Sequence, residues 1–316
     1  MATDGVLASK TNAIMGSEAV AGVWNEPTPA DKNFPIGVDI VNIDPRMSEG
    51  FEDANGKDSP SRQFSNGFIA NLNISSYLME PVNPAVADGE LEISPLFQQG
   101  GFRLDSSDTN FKLIWDGNGT CNTGSIRVLN KECGNGSTGT GTDIRGMRNN
   151  ITITAESAGS PFMVTAEAMG AVEGEIDVSK SVIAEEYSND AGTQPIEMFV
   201  GSLELDSVSL PVDAFTLNMN TENVEQKDPS ANKGVGHIYT NTSKPTIELK
   251  APIGTATGNW WTNLEDGKVY STLVYTGLHY DITMTDLVVS SVAREADSKI
   301  KLTQVLKPTT ITIDPK

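Results

Sequence analysis

A chain of 316 residues is long enough to bury a sizeable core, and its length matches about two domains of ordinary size. Lys and Arg number 22 against 42 Asp and Glu, a formal charge of −20. That balance argues against stable nucleic-acid binding, which needs cations to displace counterions from phosphate. Solubility or salt tolerance explains the charge equally well, and DNA can still move past an acidic surface because repulsion prevents adhesion.

The first residues, MATDGVLASKTNAIMGSEAV, lack the sustained apolar run of a cleaved signal, and no stretch approaches the length needed to cross a bilayer. Residues 1–33 are small, polar and proline-containing, which predicts an extended arm with Trp24 as its aromatic anchor. A first β domain is expected over 34–180. Val38, Ile40 and Ile43 open its first strand, which Pro45 interrupts. Arg46 to Asn66 is charged and rich in turn formers, so it reads as a long binding loop or a disordered insertion. Phe68, Ala70, Leu72 and Ile74 alternate as the returning strand.

Pro84 to Gly101 carries a short helix limited by Pro95, and Phe111, Leu113 and Trp115 form a strand ending in an Asp116-Gly117 turn. A Gly/Asn-rich insertion spans 117–142, with a short strand at Ser125 to Leu129 and a flexible loop at Gly139-Thr140-Gly141. Cys121 and Cys133 sit in it. They either close a small loop or stay free, and the missing secretion signal favours free thiols.

Asp143 to Val178 is the clearest stretch of the chain. Ile151, Ile153 and Ala155 alternate with Thr152, Thr154 and Glu156; Gly159-Ser160-Pro161 turns; then Phe162, Val164 and Ala166 alternate with Met163, Thr165 and Glu167. This is a hairpin with one apolar and one polar, acidic face. Residues 181–209 read as a linker containing a strand, and a second β domain is expected over 210–316. There Val212 to Phe215 stands where Val38 to Val41 stood, and Thr246 to Leu249 stands where Asn71 to Ile74 stood, with a polar loop from Asn220 to Gly236 between them. Matched positions lie roughly 174 residues apart, a spacing that fits domain duplication. Trp260-Trp261 opens a short helix, and Ile282 to Val292, an acidic turn, then Ile300 to Val305 form a closing strand pair.

Little here points to catalysis. His237 and His279 have no Cys or carboxylate at ligand spacing, so no metal or cofactor is expected. Neither a P-loop nor a Gly-x-Ser-x-Gly elbow occurs. Carboxylate pairs such as Asp39 and Asp44 arise readily in so acidic a chain, and the chain is not read as an enzyme.

In the order and spacing of its segments the sequence resembles the tail tube (major tail) proteins of long non-contractile-tailed bacteriophages, of the duplicated type. The segments are the Pro27 to Ala30 arm, Ser94-Pro95-Leu96-Phe97 to Gly101-Phe102, Arg145-Gly146 leading into the Ile151 to Gly170 hairpin, Lys244-Pro245-Thr246-Ile247, Trp260-Trp261, and Ile282 to Lys316. The resemblance implies two tandem β-sandwich or barrel domains, each with a short α-helix. It also implies stacked, trimeric, pseudo-hexameric rings that form a hollow conduit for double-stranded DNA. The implied partners are further copies of the chain, tape measure and tail-end proteins, and DNA in transit. The implied location is the virion tail, assembled in the host cytoplasm with no membrane involved. The 117–142 segment departs from that pattern and is expected on the tube exterior.

Glu156, Glu167, Asp213, Glu248, Asp281 and Asp286 are candidates for the conduit lining, with outward solvated positions as the alternative. Trp24, Arg46, Phe51, Arg62, Phe64, Lys227 and Lys233 are candidates for contacts between stacked rings. Two rival classes remain. An extracellular adhesin or carbohydrate-binding β-sandwich would use Trp24, Trp115, Trp260 and Trp261 as stacking platforms, and a glycoside hydrolase would need a carboxylate pair in a cleft.

Overall fold

The computed structural model is mainly β, with a large antiparallel sheet and two short helices. It describes residues 6–25, 37–38, 42–49, 63–79, 94–105, 112–118, 122–132, 138–181, 195–228, 230, 235–296 and 300–316. The strands of the first half are β1 (Val6–Ser17), β2 (Gly37–Val38), β3 (Asn42–Glu49), β4 (Gln63–Tyr77), β5 (Arg103–Asp105), β6 (Lys112–Trp115), β7 (Gly124–Glu132), β8 (Thr138–Ala155) and β9 (Met163–Ser181). Then come β10 (Ser202–Leu205), β11 (Val208–Ser209), β12 (Ala214–Asn218), β13 (Thr221–Lys227), β14 (Val235–Ser243) and β15 (Thr246–Pro252). The chain closes with β16 (Val269–Thr276), β17 (Tyr280–Ala296), β18 (Ile300–Lys307) and β19 (Thr310–Pro315). Helix α1 (Ser94–Gln99) follows β4, and α2 (Trp260–Glu265) follows β15.

The hairpin read from the alternation is β8–β9, with Ile151 opposite Ala166 and Ile153 opposite Val164. Period-2 alternation sends one set of side chains inward. Ile151, Ile153, Ala155, Val164 and Ala166 are buried, whereas Met163 and Glu167 are exposed. Long strands let one element serve several partners. Gly139 to Met147 of β8 pairs with β7, and Thr152 to Ala155 pairs with β12 along the same edge. β9 runs along the other edge.

β17 is built the same way. Asp281 to Val288 pairs with β16, while the opposite edge takes β19 and then β18. An unbroken ladder therefore runs β3–β4–β9–β8–β12–β15–β18–β17. Away from it, β1 pairs with β7, β10 with β11 and β16, and β6 with β5 and β19. One contiguous apolar cluster draws on both halves of the chain, from Leu72 and Ile153 to Leu249 and Ile313.

Helices of six residues leave nearly all their terminal carbonyls without an internal partner. In α1 the N–H groups of Gly100, Gly101 and Phe102 reach the Leu96, Phe97 and Gln98 carbonyls, and β8 adds two donors: Asn149 Nδ2 to the Leu96 carbonyl at 3.0 Å and Arg148 to the Gln99 carbonyl at 3.4 Å. Both side chains are buried, and these bonds account for polar residues at that point of the strand.

Several expectations meet a different structure. Gly139 to Gly141 is not a flexible loop but the start of β8, paired with both β7 and β9. Within the 117–142 segment the strand expected at Ser125 to Leu129 is present as β7, and because Ile126, Val128 and Leu129 are buried this stretch belongs to the core and not to an exterior loop. Arg46 to Asn66 and Asn220 to Gly236 were expected as loops. In the first, β3–β4 pairing continues out to Glu49 opposite Gln63; the second forms much of the β13–β14 ribbon, closed at Lys227 opposite Val235. Most of β13 and the outer part of β14 are exposed or half-buried, so the second ribbon carries little period-2 signal. From the N-terminal arm, Val6–Ser17 is β1, and from the linker, β10 and β11 join the sheet beside β16. Cys121, Cys133, residues 80–93 and residues 182–194 of the linker lie outside the described residues.

Phe162 holds the centre of an aromatic cluster, edge-on to Phe199, Phe215 and Tyr275 at 5.4, 5.8 and 5.1 Å between ring centroids. It is fully buried. Phe162→Ala should lower unfolding free energy by about 3–5 kcal/mol in a denaturant titration; a loss below about 1 kcal/mol would mean that the cluster does not hold the halves together.

Candidate functional site

The ladder from β3 to β17 presents one polar face opposite the core. Cross-strand neighbours on it read Asn73, Glu167, Asn150 in one row and Ser75, Thr165, Thr152, Asn218, Thr246 in the next. A third row reads Thr154, Thr216, Glu248. Threonine suits this place because a β-branched side chain fits a pleated surface while its hydroxyl stays wet. The face crosses from first half to second without a break at β8–β12.

Of the carboxylates picked from the sequence, Glu167 and Glu248 share this face, and both are exposed. Neither has an ion-pair partner among the described residues; Glu167 accepts a long hydrogen bond from Asn150 Nδ2 at 3.4 Å. Asp213 lies just before β12 and is paired with Lys301 at 2.8 Å. Glu156 is exposed beyond the end of β8. Asp281 and Asp286 sit apart, on the stretch of β17 between β16 and β19, and Asp281 is paired with Lys316 at 2.8 Å. At the far end of the face Lys250 donates to Glu295, holding that carboxyl below the usual carboxylate range, with Thr303 as the second donor. Lys250 and Lys301 on this face are therefore matched by carboxylates, whereas Lys307, two residues beyond Val305 on β18, is exposed and has no ion-pair partner among the described residues.

A cleft of about 380 Å³ opens on the face, lined by Asn42, Asn71, Asn73, Asn150, Glu167 and Asn223 among others. No aromatic ring lines it. The tryptophans are placed otherwise. Trp115 and Trp260 are buried, Trp24 lies over Arg127 at 5.8 Å, and Trp261 is exposed. Arg127 itself forms a bidentate pair with Asp143 at 2.7 and 3.0 Å, both side chains nearly buried, so Trp24 caps an internal ion pair of its own chain.

Lys227 is exposed at the end of the β13–β14 ribbon, while Arg46 and Phe64 fall within β3 and β4; Phe51, Arg62 and Lys233 lie outside the described residues. The ribbon is fastened by a residue the sequence did not single out. Arg145 of β8 donates to Glu173 at 2.6 Å, to the Val235 carbonyl at 2.7 Å, to the Gly22 carbonyl at 2.7 Å, and to the Gly236 carbonyl. An arginine fork satisfied on this many sides locks three segments at once.

Another buried group closes the second half. Glu197 is fully buried and accepts from the Tyr275 hydroxyl at 3.0 Å and from the backbone N–H groups of Leu278 and His279 at 3.0 and 2.8 Å. Among the described residues no cluster of His, Cys, Asp and Glu is arranged to hold a metal.

Burial, and then the negative charge of Glu197, push the Tyr275 hydroxyl well above the ordinary tyrosine range. Because the ionised phenol is disfavoured only in the folded state, the unfolded chain loses this proton first. The contribution of this group to stability is thus full below about pH 10 and is lost as pH rises beyond it. Tyr275→Phe should flatten that alkaline decline in a set of denaturation curves and remove one late-ionising phenol from an ultraviolet titration; unchanged alkaline curves would refute the assignment.

Comparison with known proteins supplies no relative: no family model matches the chain, and no curated protein matches it.

Proposed function

We propose that the chain is the subunit of a hollow protein tube: a tail tube protein of a long non-contractile-tailed bacteriophage, built from two tandem copies of one β domain. One observation carries this reading. Every pairing in one set of the first half has a partner in the second: β1–β7 with β10–β16, β3–β4 with β12–β15, β4–β9 with β15–β18, β7–β8 with β16–β17, and β8–β9 with β17–β18. Helices α1 and α2 occupy the same slot, after β4 and after β15. The order of the paired strands along the chain is preserved throughout. Chance does not readily reproduce an antiparallel pairing order of this length.

The polar face supports the role of conduit lining. Glu167 and Glu248 stand among threonines and asparagines, and Lys250 and Lys301 are held by Glu295 and Asp213. With Lys307 set against the unpaired Glu167 and Glu248, the face offers phosphates no net excess of free cations to displace their counterions, and so they are not held; repulsion is screened within about 8 Å at physiological salt. DNA slides. Three chains, each with two copies, make a pseudo-hexameric ring, and the rings stack in the virion tail. Tape measure and tail-end proteins are the further partners that this reading brings. No catalytic step is assigned to the chain.

An adhesin would use exposed aromatic platforms; Trp115 and Trp260 are buried, and Tyr77, Tyr239 and Trp261 are exposed but none of them lines the cleft. The purified protein should form rings or tubes with a continuous lumen in negative-stain microscopy. A folded monomer retained on a glycan array would replace this reading with the adhesin.

A further inference from the structure

The ladder that joins β12 to β8 within one chain has a counterpart that is unpaired among the described residues. In the matched pairings β3 corresponds to β12, β4 to β15, β9 to β18 and β8 to β17. β12 has a partner on both edges, β8 on one and β15 on the other. β2 and β3 pair with β4 on one edge, and no described strand pairs with the other. β8 is flanked along both edges by β9 on one side and β7 then β12 on the other. β17 has β16 beside it only as far as Val288, and from there to Ala296 that edge has no strand among the described residues.

We propose that the outer edge of β2 and β3 in one copy pairs antiparallel with the Ser290 to Ala296 edge of β17 in the next, repeating between chains the β12–β8 ladder. The occupant of each edge is a second copy of this chain; the proposal rests on the reading of the chain as a ring subunit and specifies its side-to-side contact. Unpaired strand edges are templates for another strand.

The register follows from the fold. Matching Asn71 to Thr246 and carrying the match across the ladder sets Gly146 of β8 against Asp286 of β17. Both lie inside a long strand and both have left-handed backbone, φ 59° and 50°. That agreement anchors the alignment independently of the apolar pattern. Asn42 then takes the place of Asn218, and Ala293 the place of Thr152, which are opposite each other within the chain.

Next along the ladder, Met219 donates its N–H to the Ile151 carbonyl at 2.9 Å, and both side chains are fully buried. Their counterparts are Ile43, half-buried, and Val292, 9% exposed, so a second copy would finish covering an apolar pair that one chain covers in part. Pro45, with no N–H, ends the usable edge. Because the two edges differ, the contact is heterologous, and each copy offers one edge and uses the other; such a contact closes into a ring or runs on as a filament.

Disulfide trapping tests the register. Residues opposite in an antiparallel ladder have Cα atoms about 4.5–5.5 Å apart, within the range a disulfide spans. In a Cys121→Ser, Cys133→Ser background, Asn42→Cys combined with Ala293→Cys should give covalent multimers on oxidation, at least about tenfold above either single cysteine. Asp44→Cys with Ser291→Cys, one step along the same face, should do likewise; Asn42→Cys with Ser290→Cys, off register, should not. Circular dichroism confirms that each variant is folded. Rings or tubes in microscopy without multimers from either matched pair would overturn this contact and leave the tube reading intact. A monomer that yields no multimers overturns both.

Discussion

The fold depends on the ladder between Thr152–Ala155 and Phe215–Asn218, where the sheet of one half runs into the sheet of the other. Without it, β8 and β12 would each present an open edge, and the apolar residues beneath them, Ile153 and Leu217, would lose the neighbours that keep them dry. With it, the two halves share one core and one polar face. The aromatic cluster of Phe162, Phe199, Phe215 and Tyr275 lies directly under this seam, so backbone pairing and side-chain packing reinforce each other at the same place. Glu197 extends the seam by tying Tyr275 to the turn at Leu278 and His279.

The charge of the chain acquires a different meaning once the arginines are located. Arg127, Arg145 and Arg148 are all buried on β7 and β8, bonded to Asp143, to Glu173 with the ribbon carbonyls, and to the end of α1. Such cations act as internal fasteners, and with Asp143 and Glu197 buried as well they leave the overall balance of −20 to be carried by the surface. Burying an ion pair costs desolvation, and the bidentate geometry of Arg127 with Asp143 offsets it only because both partners keep their hydrogen bonds. Trp24 covers that pair. A tryptophan read as a contact for another ring is in this structure part of the chain's own packing.

What the sequence made legible was whatever follows from burying a single face. The β8–β9 hairpin and β15 alternate cleanly because one side meets the core and the other meets water, and the Gly/Pro turns mark their ends. The helix at Trp260–Glu265 was legible for a related reason: Trp260 is buried while Trp261, one position on, is exposed. Gly139 to Gly141 escaped notice because glycine ordinarily signals a turn, yet here it belongs to a strand paired on both edges. Gly170 shows what glycine can do inside such a sheet: a Cβ there would come within 2.4 Å of Ile144 Cγ2. Glu167 and Glu248 were found as acidic positions on alternating strands, but no local pattern tells that Asp281 and Asp286 lie on another stretch of sheet. That distinction depends on which strands pair, a property of the whole fold.

The two halves are not interchangeable, and one position says why. A side chain at Gly146 would meet the Cα and Cβ of His237 at 2.9 Å, because the β13–β14 ribbon is drawn down onto β8 by Arg145. Only glycine fits there, and its left-handed backbone is natural to it. At the matching place in the second half stands Asp286, exposed, in the same backbone region. Aspartate tolerates that conformation, but its Cβ forbids so close an approach. In the contact proposed between copies, a neighbour would reproduce the backbone ladder but not the tight seating of a ribbon over that point, and the contact would draw more of its strength from the ladder itself and from covering Ile43 and Val292.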